Sequence, residues 1–347
     1  MKALQVEAKE KLELREVAKP VAGPGEVIVR VAFCGICGSD MPRFFDGAVH
    51  ATPQILGHEF SGDVVEAGPG VDDACLGSRV VVVPFSPCGS CSPCRSGHPQ
   101  LCDHYGFIGS HEPGAMAEYV VVPEGNLIPV PEKVSMRDAA LVEPFTVALH
   151  SVERLPPLAG ETALVLGAGP IGLMVVAALR ARGVGRIVVS DLSERRLDFA
   201  LAHGADVALN PSTDDLVSYF ADKSAPALVY ETAGHPVTQV QAITLAAKAG
   251  RVVYVGTSHR DVTFKPAEFE QIFRKELLIT GNMMSYGAPF PGAAWGTALD
   301  WMDRGIIDLG SMVTGIYRLE DGAQAFYDLR NQELGNIKVV YEIGGEL

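Results

Sequence analysis

The sequence predicts an α/β protein of two domains, one an irregular β domain and the other a parallel sheet with helices on both faces. Three observations predict this fold. The chain has 347 residues, more than a single hydrophobic core usually organises. Its first 146 residues hold short β-type runs broken by glycine and proline, and from Glu161 onward apolar strands alternate with helical stretches. We expect 1–146 and 283–347 to form the first domain and 147–282 to form the second.

The predicted elements follow from the spacing of apolar residues. In the first region we predict strands at 26–32, 78–84 and 117–123. In the second region we predict helices from Pro170 and Ser193 and strands at 162–166, 186–190, 227–230, 251–256 and 276–281. Strands that alternate with helices run parallel, so this region predicts a parallel sheet. After the Gly-, Pro- and Ser-rich stretch 283–291, we expect helices at 292–304 and 320–330 and a strand at 338–342 to rejoin the first domain.

Composition excludes several classes of function. A formal net charge of −14 disfavours nucleic acids and anionic membranes as partners, because both select positive surfaces. We find no apolar run long enough for a membrane-spanning helix and no pattern of a secretory signal at the N-terminus, so we expect a cytoplasmic protein. In that compartment the seven cysteines are better explained as metal ligands than as disulfides.

A glycine-rich loop follows the predicted strand 162–166 and opens the next helix. Its pattern Gly-x-Gly-x-x-Gly is filled by Gly167, Gly169, Pro170, Ile171 and Gly172. The first glycine permits a tight turn, the second lets backbone amides approach a pyrophosphate, and the third lets helix and strand pack closely. By itself the pattern is often an ordinary turn. Its place between a strand and a helix favours a dinucleotide site in a Rossmann domain.

The predicted cofactor is NAD. Asp191 ends the next strand, about 20 residues beyond the loop, where a carboxylate can accept hydrogen bonds from the adenosine ribose. The same carboxylate repels the 2′-phosphate of NADP. Arg195 and Arg196 weaken this preference, although arginines on the following helix are usually solvated. We include Arg196 among the predicted cofactor-binding residues.

Four cysteines lie within 15 residues, and glycines and prolines bend the chain around them. They are Cys88, Cys91, Cys94 and Cys102. Four thiolates complete a tetrahedral zinc site without an open position, which is typical of a structural zinc. The alternatives are free cysteines or an iron–sulfur cluster, but the last spacing differs from the common ferredoxin run. We expect this site to stabilise the fold, and we assign it no role in catalysis.

A second group of potential metal ligands is dispersed along the chain. It comprises Cys37, His58, Glu59 and Glu143. Each has an ordinary explanation, since Cys37 could be a small core residue, His58 a buried histidine, and Glu143 part of a helix start. Spacing alone does not show that they meet. A thiolate, an imidazole and a carboxylate with an open fourth position would form a catalytic zinc site.

The sequence resembles the zinc-containing medium-chain dehydrogenases. The run Gly57-His58-Glu59-x-x-Gly62-x5-Gly68-x-x-Val71 fills every fixed position of that family's signature, and the four-cysteine segment and dinucleotide loop follow in the family's order. The resemblance implies a GroES-like catalytic domain beside the Rossmann domain. It implies that Cys37, His58 and Glu143 bind the catalytic zinc and that Glu59 stands beside the metal. It also implies that Ser39 passes the alcohol proton toward solvent.

Within the family, the sequence is most similar to polyol-phosphate dehydrogenases. The local matches are 37–43, 56–62, 107–110, 143–147, 231–234 and 274–277. This similarity implies NAD-linked oxidation of a secondary hydroxyl, converting galactitol 1-phosphate to tagatose 6-phosphate. A phosphorylated substrate needs local cations, for which Arg43 is the first candidate, followed by His50 and Lys275. The alternative explanation is that each of the three is an ordinary surface or packing residue.

Two other functions stay open. A neutral-polyol dehydrogenase of the sorbitol type would use the same chemistry, but this chain has Ser285-Tyr286 where those enzymes carry an Arg-Tyr pair. A noncatalytic NAD-binding protein could keep the fold without the chemistry. For any of these functions we expect a small-molecule ligand and a homodimer or homotetramer, in which the strand 276–281 could extend the sheet of a second subunit.

Overall fold

The contacts between residues divide the chain into two units. One is Met1–Pro144 together with Tyr286–Leu347, and the other is Phe145–Ser285. The computed structural model describes residues 1–221, 223–331 and 333–344. The last three residues of the predicted first domain, 345–347, lie outside the described part. The predicted boundaries at 146/147 and 282/283 differ from these divisions by two or three residues.

The described residues form strands in both units. In chain order the strands are β1 (Lys2–Ala8), β2 (Lys11–Glu16), β3 (Glu26–Gly35), β4 (Gln54–Ile55), β5 (Glu59–Ala67), β6 (Arg79–Val82), β7 (Phe85–Ser86), β8 (Gly106–Phe107), β9 (Tyr119–Pro123), β10 (Leu127–Pro129), β11 (Thr162–Leu166), β12 (Arg186–Ser190), β13 (Val207–Leu209), β14 (Leu228–Glu231), β15 (Arg251–Tyr254), β16 (Leu278–Gly281), β17 (Val313–Arg318) and β18 (Lys338–Glu342).

The α-helices of the described residues have 4 to 13 residues. In chain order they are α1 (Asp40–Phe45), α2 (Ser92–Arg95), α3 (Met136–Ala139), α4 (Val142–Arg154), α5 (Pro170–Ala181), α6 (Glu194–Ala202), α7 (Leu216–Ala221), α8 (Pro236–Leu245), α9 (Pro266–Phe269), α10 (Gln271–Arg274), α11 (Ala293–Asp303) and α12 (Gln324–Arg330). No helix in the described ranges is long and apolar enough to cross a membrane.

The first unit is built around a seven-stranded sheet with β3 near its middle. The order is β10-β6-β5-β3-β18-β17, and β9 also pairs with β3. Strand β3 runs antiparallel to β5, β9 and β18, and eight of its ten residues are buried. A smaller sheet, β2-β1-β4, packs its apolar face into the same core, which includes Leu4, Val29, Phe60 and Phe326. The C-terminal strand therefore returns to the first domain, as the sequence predicts.

The second unit is a six-stranded, fully parallel sheet in the order β13-β12-β11-β14-β15-β16. The chain starts in the middle at β11, moves outward to β13, and then crosses to β14 on the other side. Ligands of such sheets bind at the carboxyl ends of the strands where this order reverses, between β11 and β14. The glycine-rich loop after β11 lies at that reversal.

One predicted element differs in detail from the structure. The expected helix at 320–330 is a single 3-10 turn, Leu319–Asp321, followed by α12. Gly322 lies between them with a φ of 55°, a left-handed conformation that an α-helix does not accommodate. The apolar spacing is continuous through the break, which is why it did not reveal the turn.

Candidate active site

The four-cysteine segment folds into a compact sulfur cluster. The sulfur atoms of Cys88, Cys91, Cys94 and Cys102 all lie within 4.8 Å of one another, and those of Cys91 and Cys102 are 3.8 Å apart. A tetrahedral zinc with zinc–sulfur bonds of about 2.3 Å requires sulfur separations of about 3.8 Å. All four are free cysteines. The donor set and its spacing fit a structural zinc with no open coordination position.

Backbone amides surround these sulfur atoms as they do in metal-thiolate sites. The amide of Cys88 donates to Cys102 Sγ at 3.3 Å, and the amide of Cys91 donates to Cys88 Sγ at 3.4 Å. Amides of the loop after Cys88 lower the pKa of that thiol to about 6, because they stabilise the thiolate. Desolvation raises the pKa of Cys94 to about 12.

A second cluster forms where β3 ends and β5 begins. The two strands pair antiparallel, with Gly35 opposite Glu59. This register carries Cys37 to the side of His58 and Glu59, and one ligand atom from each of the three lies within 4.8 Å of the others. Thiolate, imidazole and carboxylate are a donor set that zinc accepts. The fit to a metal is supported by His58, which is 4% exposed and whose Nδ1 has no hydrogen-bond partner among the described residues.

Glu143 lies in the first turn of α4, is buried, and faces the same cluster. Burial raises the pKa of its carboxyl to about 8, with further contributions from Glu59 and Cys37, while His58 acts in the opposite direction. These neighbours place Glu143 within electrostatic reach of the cluster. The compact set of described ligand atoms nevertheless contains Glu59 and not Glu143. Two carboxylates thus stand near one potential metal position.

Glu59 is held by a buried lysine that the sequence reasoning did not single out. Lys338 Nζ donates to Glu59 Oε2 and, at 2.8 Å, to the carbonyl oxygen of Ile36. Burial acts to lower the pKa of Lys338, but Glu59, Cys37 and Glu143 together outweigh this effect, so the pKa is raised. The signal for Lys338 in the sequence was a charged residue directly before two valines, at the start of β18.

Asp40 supports the cluster from the first residue of α1. It is fully buried, and its Oδ2 accepts a hydrogen bond of 3.0 Å from the amide of Cys37. Its Oδ1 accepts from Arg43 Nη1 at 3.1 Å and lies 3.8 Å from His58 Nδ1. The separation of 3.8 Å from His58 is too long for a hydrogen bond, so Asp40 supports the cluster through the amide of Cys37. Asp40 was part of a matched motif, but the sequence gave no reason to assign it this role.

Ser39 and Arg43 lie on the same face of this region. Arg43 Nη1 donates to Ser39 Oγ at 3.1 Å, and Arg43 Nη2 donates to Ser110 Oγ at 3.0 Å. His50 lies nearby in the chain and stacks on His111, with ring centroids 4.5 Å apart. Ser110 and His111 were missed by the sequence reasoning, because neither belongs to a motif that predicts chemistry by itself.

The predicted dinucleotide loop joins β11 to α5, with Pro170 and Ile171 in the first turn of the helix. A Cβ atom on Gly172 would lie 1.9 Å from the carbonyl oxygen of Gly167, so the helix packs against the loop only with glycine there. Asp191 follows β12, and its Oδ2 accepts a hydrogen bond of 2.7 Å from the amide of Ala168. Loop and carboxylate therefore meet, as a dinucleotide site requires.

Two other predicted residues, Arg196 and Lys275, form hydrogen bonds at helix ends within the second unit. The amide of Arg196 donates to the Ser193 hydroxyl at 3.4 Å, which caps the start of α6, and its side chain is partly exposed. Lys275 Nζ donates to the carbonyl oxygens of Thr244 at 2.7 Å and Ala246 at 2.8 Å, and reaches that of Ile243. Its ammonium group thus bonds to the end of α8 within the second unit.

Comparison with known proteins covers both units. The family model described as the alcohol dehydrogenase GroES-like domain matches residues 23–132, and the model described as zinc-binding dehydrogenase matches residues 170–304. Galactitol 1-phosphate 5-dehydrogenase of Escherichia coli (strain K12) is 35% identical over 91% of this chain and 92% of that protein. Starvation-sensing protein RspB of the same strain is 36% identical over 94% of both chains. Sorbitol dehydrogenase of Bacillus subtilis (strain 168) is 30% identical over 94% of this chain and 92% of that protein.

Solved structures resemble the chain over almost its whole length. Galactitol-1-phosphate dehydrogenase from Escherichia coli has a TM-score of 0.93 at 34% identity and covers 99% of this chain and 100% of its own. RspB from E. coli CFT073, solved with NADH, has a TM-score of 0.91 at 33% identity and covers 99% of both. A putative zinc-binding dehydrogenase from Sinorhizobium meliloti 1021, bound to NADP, has a TM-score of 0.89 at 31% identity and covers 98% of both. These matches confirm the predicted pairing of a GroES-like domain with a Rossmann domain.

Proposed function

The chain belongs to the zinc-containing medium-chain alcohol and polyol dehydrogenases, and on that premise we propose that it oxidises a secondary hydroxyl of a polyol phosphate to a ketone with NAD. Membership of this enzyme family removes the alternative of a noncatalytic NAD-binding protein. The observation that carries the proposal is the convergence of Cys37, His58 and a carboxylate at the junction of β3 and β5.

Different residues of this chain would have different roles in the reaction. Cys37, His58 and Glu143 would hold the catalytic zinc, with Glu59 beside them, and the loop from Gly167 to Gly172 would hold the pyrophosphate of NAD. When bound, zinc supplies Lewis acidity toward the alcohol oxygen and NAD supplies the hydride acceptor. Ser39 Oγ would receive the proton of the substrate hydroxyl. Arg43 already donates a hydrogen bond to Ser39 Oγ, so the hydroxyl proton of Ser39 is free to pass toward solvent.

NAD is the proposed cofactor because the carboxylate of Asp191 stands at the end of β12. Its two oxygen atoms accept from the amides of Ala168 and Ser193, so the side chain is fixed at the edge of the loop. A carboxylate in this position favours a ribose with a free 2′-hydroxyl and opposes a 2′-phosphate. The related structures contain NADH in one case and NADP in another, so this preference belongs to the proposal.

Galactitol 1-phosphate is the proposed substrate, and tagatose 6-phosphate the product. The identity of 35% with the E. coli galactitol 1-phosphate enzyme and the cationic side chains beside Ser39 support this choice. The competing candidate is a neutral polyol, supported by the 30% identity with sorbitol dehydrogenase. Ser285-Tyr286 argues against it, because Ser285 is buried, bonds to Thr146, and offers no guanidinium to a polyol.

A substrate comparison tests the proposal. NAD reduction is followed with galactitol 1-phosphate, galactitol and sorbitol, on protein whose zinc content has been measured, and with NADP as the alternative cofactor. We expect the phosphorylated polyol to have the highest kcat/KM. Equal or better turnover of sorbitol would reject the phosphate substrate and leave the neutral-polyol enzyme.

We also propose that the chain assembles through β16, as a homodimer or a pair of such dimers. This strand is the edge of the parallel sheet, and Leu278 and Ile279 are 57% and 39% exposed. Phe269 and Phe273 on the adjoining short helices are also exposed. An exposed apolar edge strand commonly pairs with another chain. Light scattering coupled to size exclusion tests this, with Ile279→Lys expected to yield monomers.

A further inference from the structure

A group of polar and cationic side chains lies beside Ser39 and has no part in holding the metal. It comprises Arg43, His50, Ser110 and His111, and we call it the cationic cluster. Arg43 bridges from Ser39 Oγ to Ser110 Oγ, with hydrogen bonds of 3.1 and 3.0 Å. The next residue in the chain, His111, stacks face to face on His50 at an interplanar angle of 22°.

The turn that carries Ser110 and His111 is fixed against the candidate zinc site. The amides of Ser110 and His111 both donate to the carbonyl oxygen of Phe107, which makes the turn tight. A Cβ atom on Gly109 would lie 2.5 Å from the carbonyl oxygen of Gly57, the residue before His58. The turn that carries Ser110 and His111 therefore packs directly against the residue before His58.

The cationic cluster retains hydrogen-bond donors that an anion could use. Arg43 has five N–H donors, and within the described ranges it makes three hydrogen bonds, to Ser39, Asp40 and Ser110. Both histidines are exposed, and neither forms an ion pair with a described carboxylate. The charged groups that face His111 are His50, Arg43 and Glu112, and burial, His50 and Arg43 lower its pKa. Arg43 pairs with Asp40, and its remaining N–H donors and the two exposed imidazoles are available to an anion.

Resting on the proposed function, we infer that the cationic cluster is the subsite for the phosphate group of the substrate, with the polyol chain running from it to Ser39. Guanidinium and imidazole donors together with a hydroxyl are the groups that bind a phosphomonoester dianion. Arg43 contacts Ser39 directly, so the subsite begins beside the hydroxyl that would take the substrate proton. A chain with a net charge of −14 needs such a local reversal to attract a phosphorylated substrate.

His50→Ala and His111→Ala are the test variants. They leave Arg43 in place, because Arg43 is bonded to Asp40 and its removal would disturb the metal ligands. His203→Ala is the matched control, since it removes an imidazole that stacks on Phe199 in the other unit. We expect each test variant to raise the KM for galactitol 1-phosphate by about tenfold to a hundredfold, the loss typical of a charged hydrogen bond. Its kcat, its KM for NAD and its kcat/KM for neutral galactitol should stay within about twofold of the wild type.

A binding measurement separates this inference from the substrate proposal. Inorganic phosphate is titrated into zinc-loaded protein while the imidazole proton resonances are followed by NMR. We expect the His50 and His111 resonances to move in the wild type and in His203→Ala. In each test variant we expect the resonance of the one histidine that remains in the cationic cluster to stay fixed. If phosphate moves neither resonance, or if the test variants keep the wild-type KM for galactitol 1-phosphate, the subsite is disproved whether or not the enzyme oxidises that substrate. If phosphate binds as expected but only neutral polyols turn over, the subsite stands and the proposed substrate fails.

Discussion

Lys338 and Glu59 form a buried ion pair behind the candidate catalytic metal site. Their side chains are 3% and 1% exposed, and Lys338 also donates to the carbonyl oxygen of Ile36. The carboxylate of Glu59 is at the same time one of the three groups that could hold a metal with Cys37 and His58. A metal ion bound here would compete with Lys338 for Glu59, and the charge of the lysine would favour another carboxylate as the third ligand.

We predict that Lys338→Met destabilises the protein and changes the metal site. Removing one partner leaves a buried carboxylate without compensation, which costs about 3–5 kcal/mol of the free energy of unfolding. Glu59 would then be drawn toward the metal. Replacing zinc with cobalt makes this visible, because its absorption spectrum responds to the number and kind of ligands.

The double variant Lys338→Met/Glu59→Gln provides the control. Because it removes both charges, we expect it to recover at least half of the lost stability and to restore the cobalt spectrum of the wild type. Additive losses, together with an unchanged spectrum in Lys338→Met, would mean that the lysine does not control the position of Glu59.

We predict that Cys37→Ala removes one of two zinc ions and abolishes turnover. A lost thiolate leaves too few donors for a catalytic zinc, and kcat should fall at least a thousandfold, since the metal's contribution to the chemical step is several kcal/mol. Metal analysis should change from about two zinc ions per chain to about one. Cys75→Ala is the matched control, because Cys75 is a free cysteine outside both clusters.

Cys94→Ser should lose the other zinc with a different consequence. The four-sulfur cluster has no open position, so its loss should lower Tm and expose the segment 88–102 to proteolysis, while the catalytic zinc remains. If Cys94→Ser and Cys37→Ala lost the same zinc ion, the division into structural and catalytic sites would be wrong.

The sequence indicated the members of the four-cysteine cluster more completely than those of the second cluster. The four cysteines are close along the chain, and local turns suffice to bring them together. Lys338 is 279 positions from Glu59, and the two meet because β3 pairs with β5 on one side and with β18 on the other. The stacking of His50 on His111 likewise depends on two loops from distant segments. Motif spacing contains no information on the register of strands or the packing of loops, so the sequence did not predict these contacts.

We predict that Asp191→Ala weakens the preference for NAD over NADP. The carboxylate opposes the 2′-phosphate, and its removal also loses hydrogen bonds to the ribose. The kcat/KM for NAD should fall by about tenfold or more, since a hydrogen bond to a charged group contributes about 1.5–3 kcal/mol, while that for NADP should rise. Asp198→Ala, on the exposed side of α6, controls for the loss of one negative charge. A parallel fall with both cofactors would indicate damage to the loop instead of a change in selectivity.

The last prediction concerns Glu231, at the end of β14 in the Rossmann unit. Its Oε1 accepts hydrogen bonds from the amides of Ala233 and Gly234 and from Thr238 Oγ1, at 3.1, 2.9 and 2.7 Å. Its Oε2 is buried without a hydrogen-bond partner among the described residues. Burial raises the pKa of this carboxyl, although the donors to Oε1 oppose the shift.

A raised pKa in the folded state means that the native protein holds a proton that the unfolded chain has released. The stability contribution of Glu231 is therefore greatest at and below the ordinary carboxyl pKa and declines as pH rises through the raised folded pKa. Glu231→Gln keeps an oxygen acceptor and removes the ionisation. We expect its Tm relative to the wild type to increase as the pH rises above the ordinary carboxyl pKa of 4.5. The free energy of unfolding should change by about 1.4 kcal/mol per unit of pKa shift. Asp198→Asn, on the exposed side of α6, is the control for the loss of one carboxylate. A Tm difference for Glu231→Gln that does not change with pH would show that Glu231 ionises alike in the folded and unfolded chain.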